Sequence, residues 1–374
     1  MLFDVFIPYG NHLEHFPITL MSIATQTCRD FQVTVADDGT KEGAEVKALC
    51  EEFSKFMPNP IKYIRFDENK GIAVQRQRLL DTATAEYFTS CDSDDAFYHC
   101  EVLETFKKNI EIYRPQNKLP DILHMSFIEA HDNGARIAHQ PMDNAWQHGK
   151  MFRVQFLKDN KIFYDPAVEL YEDGKFVQWA SKLANFQVQI PDSGYFWTHT
   201  AGSIVRSGEY IHKMLSFFCD SFWRNYKAIE PLKGRDNCAD LLFSGLVMPY
   251  YYLMGLERRY PEDDANIAKT YAVLKDMIES SHIIDLINTD ERYFNGFNQV
   301  LRQGIQGVLN QDPYFVGGGS INDWLKLHFG VSIKKLEPDA LQGIRDPGTA
   351  TSMYSDRITK EKSSDTLPST KTSN

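Results

Sequence analysis

Five short apolar runs constrain this 374-residue chain more than anything else in it: "FDVFI" (3–7), "FQVTVA" (31–36), "IKYIRF" (61–66), "EYFTSC" (86–91) and "DILHMSF" (121–127). Each has the length of a buried strand, and the stretches between them (13–25, 42–56, 72–84 and 100–113) carry helical periodicity. Strands that are apolar almost throughout must be covered on both faces. Their alternation with helices therefore specifies an α/β domain on a mostly parallel sheet. Ligands then belong at the carboxyl ends of the strands. From 150 to 200 the pattern is mixed, and from 207 to 330 it turns helical, with Pro249 expected to interrupt the run "CADLLFSGLVMPYYYLMGL". The organisation expected is a catalytic domain over 1–206, a helical region over 207–345 for acceptor binding or oligomerisation, and a disordered tail over 346–374 rich in Ser, Thr and Lys.

Charge and composition narrow the partners. The formal net charge is −11 and no long basic run stands clear of acids, so the chain lacks a strong nucleic-acid signature. The six cysteines are scattered without a CxxC pair, as expected of free thiols in a reducing compartment. "MLFDVFIPYGN" has no signal-peptide pattern, and no run is apolar and long enough for a transmembrane segment, so a soluble, cytoplasmic protein is expected.

The chemistry concentrates at strand ends. "AEYFTSCDSDDAFYH" (85–99) places Asp92, Asp94 and Asp95 where the fourth strand gives way to a loop. Carboxylates this close repel one another unless something positive compensates. The spacing D-x-D suits a hard divalent cation, Mg²⁺ or Mn²⁺, and the plain alternative is a solvated loop capping the next helix. "VADDGT" (35–40) ends the second strand on Asp37 and Asp38; it fits an ordinary Asp-Gly turn, or a carboxylate accepting the ring N–H of a uracil. In "NKGIAVQRQR" (69–78) Gly71 feeds a helix on which Arg76 shares the face of Ile72, Leu79, Leu80 and Ala83, while Arg78 points away. A guanidinium on that face needs a phosphate or a carboxylate, and a salt bridge to one of the aspartates is the structural alternative.

These segments together resemble the nucleotide-sugar-binding half of the family 2 glycosyltransferases. The resemblance rests on Pro8 and Tyr9, on the "S-x-x-x-Q-T" helix of Ser22, Gln26 and Thr27, and on Asp37-Asp38-Gly39. It continues through the loop of Asn69, Gly71 and Arg76 to the D-x-D of Asp92 and Asp94. Gln77 stands where the family usually has Asn. The resemblance implies a GT-A fold and an inverting, metal-dependent hexosyltransferase-like enzyme using a UDP-sugar. Pro8, Tyr9, Asp38, Gly71, Arg76, Asp92 and Ser93 would bind the donor, with Asp38 on the uracil. Asp94, assisted by Asp92 or Asp95, would hold the metal. Further along, "HGKMFRVQFLKDNKIFYDPAVELYEDGKFVQWA" resembles the acceptor-side segment, which implies that the Glu172-Asp173 pair supplies the catalytic base. "SGYFWTHTAGSIVR" resembles the strand and loop that follow, from which His199, Ser203 and Arg206 would reach the diphosphate or metal. The acceptor expected is a hydroxyl on a glycan, a lipid-linked glycan or a surface-polymer precursor. Rival readings keep the donor site but take a protein or modified DNA bases as acceptor, or make the chain a non-catalytic sugar-nucleotide-binding assembly protein. A nucleotidyltransferase would need a Gly-rich basic loop after the first strand, which "PYGNHLEHF" is not.

Overall fold

The computed structural model describes residues 1–131, 134–142, 145–198, 210–257, 260, 264–311, 321–334 and 336. The chain divides into two compact units, Met1–Cys238 and Ala239–Asn374. The first runs β1 (Phe3–Tyr9), α1 (Phe16–Ala24), β2 (Phe31–Asp37), α2 (Gly43–Phe53), β3 (Lys62–Arg65), α3 (Ile72–Asp81), β4 (Tyr87–Ser90), β5 (Ala96–Phe97) and α4 (Val102–Tyr113). It continues β6 (Ile122–Ala130), β7 (Arg136–His139), β8 (Lys150–Arg153), α5 (Val154–Asp159), α6 (Glu172–Leu183), β9 (Gln187–Trp197) and α7 (Tyr210–Lys233).

Among the described residues the strands form a nine-stranded sheet in the order β3-β2-β1-β4-β8-β6-β9-β5, with β7 paired to β6. Its first four members are parallel, with Phe3 opposite both Phe31 and Tyr87. β1, β2 and β4 are buried at every position, as apolar strands covered on both faces must be. The fifth apolar run does not extend this parallel array. Antiparallel β8 is inserted between β4 and β6, so the second half of the sheet is mixed. The core side chains Phe3, Val5, Ile7, Phe16, Leu20, Val33 and Phe106 pack between the sheet and its helices. The chain turns from β1 to β2 on one side and to β4 on the other, which makes the carboxyl end of β1 a topological switch point.

A buried carboxylate fixes the opposite end of β1. Asp4 accepts the backbone N–H groups of Thr84 and Ala85 at 2.8 Å each and the Gln32 amide at 2.5 Å. Further on, Asn225 of α7 donates to the Lys175 carbonyl at 3.0 Å and Arg224 lies 3.6 Å from Asp165, which binds α7 into the first unit. The domain boundary expected at 206 lies outside the described residues, as does the tail over 346–374.

The second unit contains α8 (Ala239–Leu256), α9 (Ala265–Ser281), α10 (Ile283–Thr289), α11 (Glu291–Gln311) and α12 (Ile321–Phe329). Its buried side chains include Leu242, Leu246, Leu274, Met277, Ile287, Phe297 and Trp324. The expected break at Pro249 does not occur, and α8 runs through it. Proline removes one N–H from the helical ladder, while Leu246, Val247, Tyr250 and Leu253 are all buried around it, and that packing outweighs the lost bond. Among the described residues no helix is long and apolar enough to cross a membrane. All six cysteines are free thiols, buried except for Cys100.

Asp4→Ala should leave donors on three residues, two of them buried, without this acceptor and lower stability by roughly 2–4 kcal/mol. Urea denaturation followed by circular dichroism measures this. A change below about 0.5 kcal/mol would mean that the three donors find other partners.

Candidate active site

The acidic segment after β4 is held from outside its own strand. The Thr19 hydroxyl of α1 donates to the carbonyls of Ser93 and Asp95 at 2.9 and 2.6 Å. The Ser22 hydroxyl accepts the Phe97 N–H at 3.1 Å, and the Gln26 side chain binds both the His99 carbonyl and the Leu103 N–H. The Thr27 N–H donates to the Cys100 carbonyl at 2.8 Å. The residues of the "S-x-x-x-Q-T" pattern thus fasten the loop that carries the aspartates to helix α1.

The neighbouring turn is equally constrained. Asp37, at the end of β2, accepts Thr40 N–H at 2.8 Å, pairs with Arg65 at 2.5 Å and accepts the Tyr63 hydroxyl. Asp38 is buried, and its two carboxylate oxygens accept the N–H groups of Lys70 and Gly71 at 2.7 and 3.0 Å. Each oxygen retains a further lone pair for a ligand N–H. Gly39 adopts φ +71°, and a Cβ there would come within 2.7 Å of the Glu68 backbone. Gly71 opens α3 with φ +87°, a left-handed conformation that favours glycine. Gln75, which no sequence pattern singles out, donates at 2.6 Å to the carbonyls of both Tyr9 and Ala36 and so ties the ends of β1 and β2 together. Pro8 and Tyr9 are buried beside them. The Tyr9 hydroxyl has no hydrogen-bond partner among the described residues, and burial pushes its pKa up.

Arg76 occupies the centre of the site and is buried. One terminal nitrogen donates to both oxygens of Asp92 at 2.9 and 3.1 Å, and its Nε lies 3.5 Å from Glu172. Its other terminal nitrogen donates to the Gln147 carbonyl oxygen at 3.2 Å, which also accepts the Tyr164 hydroxyl at 2.5 Å. The guanidinium thereby joins the end of β4 to the first turn of α6, where Glu172 and Asp173 stand. Arg78, by contrast, is exposed. Glu172 is buried, and burial outweighs the attraction of Arg76; with Asp173 and Asp92 adding repulsion, its carboxyl is pushed up to about 7. Asp92 is also raised by burial, against the pull of Arg76 and with repulsion from Asp94 and Asp173. Asp173 accepts the Gly174 N–H at 2.7 Å.

Asp95 is buried, accepting the Tyr195 hydroxyl at 2.6 Å and the Thr198 N–H at 2.8 Å. Burial, with Asp94 and Asp92 close by, holds its pKa well above the usual carboxylate range. The Tyr195 oxygen in turn accepts the Asp92 N–H at 3.1 Å. Asp92, Asp95 and His148 offer ligand atoms that all lie within 4.8 Å of one another. Hard carboxylate oxygens with one imidazole suit Mn²⁺ or Mg²⁺, so the side chains present fit a divalent cation. Asp94 stands half-buried beside this cluster. His199, Ser203 and Arg206 lie outside the described residues. Sequence reasoning missed His148, Gln147 and Tyr195. Each is a single residue brought in from a distant segment; His148 opens "HGKMFR" and Tyr195 lies in "SGYFW", but neither stands out within those runs.

An open sheet with carboxylates gathered at its switch point, facing a second pair at a helix start, has the architecture of the GT-A class of sugar transferases. Residues 4–166 match the family model described as glycosyl transferase family 2. A crystal structure of S. aureus TarS 1–349 has the same fold, with a TM-score of 0.58 and 18% identity over 84% of this chain and 93% of that one. The same TarS fragment in complex with UDP-GlcNAc gives a TM-score of 0.57. A teichoic acid poly(glycerol phosphate) polymerase of Staphylococcus epidermidis is 26% identical over 199 residues, 50% of this chain and 27% of the polymerase. Glycosyltransferase GlyA of Streptococcus pneumoniae is 33% identical over 107 residues, 29% of this chain and 15% of GlyA. The chain therefore matches well under half the length of either relative.

The raised Glu172 pKa sets a pH dependence. Between the ordinary glutamate value and about 7, the folded protein keeps a proton that the unfolded chain releases. Stability contributed by protonated Glu172 is therefore present at low pH and lost as pH rises through that window. Glu172→Gln should flatten this limb of the stability–pH curve, measured by urea denaturation from pH about 4.5 to about 8. An unchanged slope would assign the dependence to other groups.

Proposed function

We propose that the chain is an inverting glycosyltransferase that moves a sugar from a UDP-sugar to an acceptor hydroxyl on a glycan or surface-polymer precursor. The observation that carries this reading is the convergence of Asp92 at the end of β4 and Glu172-Asp173 at the start of α6 around Arg76. A binding module has no use for a second carboxylate pair opposite the donor site. The TarS structure with UDP-GlcNAc, alike in fold, supports the donor class, and the match to a teichoic acid polymerase supports a surface-polymer acceptor.

The donor lies at the switch point. Asp38 accepts the uracil N–H through the lone pairs left by Lys70 and Gly71. Pro8, Tyr9, Gly71 and Ser93 shape the floor of the site, and Arg76 and Asp92 border the diphosphate, with Arg206 as a further donor contact. Asp94, with Asp92, Asp95 and His199, would hold the divalent cation, which when bound neutralises charge on the departing UDP. Asp173 accepts the proton of the acceptor hydroxyl as that oxygen attacks the anomeric carbon. Glu172 stays paired with Arg76 and fixes the first turn of α6, so that Asp173 faces the acceptor. A single displacement inverts the anomeric centre and requires no enzyme nucleophile. The helical unit after Cys238 serves acceptor binding or self-association.

Asp173→Asn keeps the shape of the side chain but cannot accept the proton. Transfer should fall by about 10²–10⁴-fold while UDP-sugar affinity stays within a few-fold. Calorimetry and proton NMR of the product read both quantities and the inverted configuration. Retention of configuration, or wild-type turnover by the variant, would overturn this mechanism. UDP-sugar binding without transfer to any acceptor tested would make the chain a binding protein instead.

A further inference from the structure

We propose that His148 is a nitrogen ligand of the divalent cation, closing a site with Asp92 and Asp95; this rests on the reading above that a cation binds beside the D-x-D. The ligand atoms of the three side chains lie within 4.8 Å of one another. His148 comes from the segment before β8, far in sequence from the aspartates, and the insertion of β8 next to β4 delivers it there.

The imidazole is only 7% exposed. Its ring stacks on Tyr195 at 4.5 Å and 21° and on Trp146 at 6.0 Å and 12°, with Phe127 meeting it edge-on at 5.2 Å. Among the described residues these rings and Trp197 are its aromatic neighbours, Arg76, Lys150 and His139 lie close by, and its nitrogens make no hydrogen bond. The side chain is thus almost wholly buried with both ring nitrogens open to a ligand, one of them within reach of the two carboxylates. A cation would satisfy the nitrogen that faces the two carboxylates. The aromatic walls fix the ring plane, as a ligand with little freedom requires.

The carboxylates are prepared in the same way. Tyr195 stacks on His148 and also donates its hydroxyl to Asp95, so one side chain orients two of the three ligands. The Thr198 N–H holds the other Asp95 oxygen. Arg76 takes the oxygens of Asp92 on one side, and each carboxylate oxygen has a second lone pair for a cation. Asp94 stands beside the two aspartate ligands, while Arg76 pairs with only Asp92 of the three, so the cluster keeps negative charge that a divalent ion would balance. Imidazole nitrogen favours Mn²⁺ over Mg²⁺ among the hard cations, because Mg²⁺ prefers an all-oxygen shell.

The test is Mn²⁺ binding to the full chain, with and without UDP. Electron paramagnetic resonance counts free Mn²⁺, and electron spin-echo modulation detects a directly bound nitrogen. Wild type should show nitrogen coupling. The comparison is made in a His199→Ala background, which removes the other imidazole placed at the cation. There His148→Phe, which keeps an aromatic ring in the stack, should lose the coupling and bind Mn²⁺ at least about tenfold more weakly. His199→Ala should retain the coupling. Should His148→Phe melt far below wild type, His148→Gln provides the same comparison. Mn²⁺ bound by wild type without nitrogen coupling, or coupling that survives loss of His148 in the His199→Ala background, would overturn this proposal and leave the D-x-D reading intact. No Mn²⁺ binding by wild type, with or without UDP, would overturn both.

Discussion

The ion pair between Arg76 and both oxygens of Asp92, extended to Glu172, is the interaction on which the site depends. Without a buried cation, a strand-end aspartate and a helix-start glutamate would repel each other across a poorly solvated gap. With it they are held in one network that also takes in Gln147 and Tyr164. Burial makes the arrangement costly to break from one side, because removing one partner strands a charge in the interior. It also leaves Glu172 near neutrality, so that the centre of the site carries less charge than its residues suggest.

Around that pair, each element of the first unit contributes a fixed point. Helix α1 holds the aspartate loop through Thr19, Ser22 and Gln26. Helix α3 supplies Arg76 and, one residue earlier, Gln75, which ties the ends of β1 and β2. β9 contributes Tyr195, whose hydroxyl accepts from Asp92 and donates to Asp95. Motif residues that look like ligand contacts in the sequence thus divide into two groups. Some face the site, whereas Ser22, Gln26 and Asp37 use their polar groups to hold backbone and neighbouring side chains.

Strands β1 to β4 and β6 and the first four helices were legible in the sequence because their signals are local. An apolar run such as "FQVTVA" between turn residues permits few other conformations, and the Asp-Asp-Gly after it marks the strand end. Arg76 was legible as a buried guanidinium because its position on the helical wheel put it there. His148, Gln147 and Tyr195 were not, because nothing in their spacing records which distant segment they meet. The antiparallel insertion of β8 escaped for the same reason, since strand order follows from pairing energy across the whole sheet rather than from any run of residues. Pro249 misled the local reading because buried packing over several turns of α8 outweighs one missing hydrogen bond.

The continuous pairing from β4 through β8 to β6 and β9, irregular only where the β6–β9 register shifts around Ser126, has a mechanical consequence. The half that carries the aspartates and the half that carries Tyr195 are one stiff plate, with no hinge between them at which they could rotate apart. A substrate entering this site meets walls whose spacing is already set. Any tightening around it falls to side chains and connecting segments, so fidelity here is a matter of fit to a fixed gauge rather than of closure.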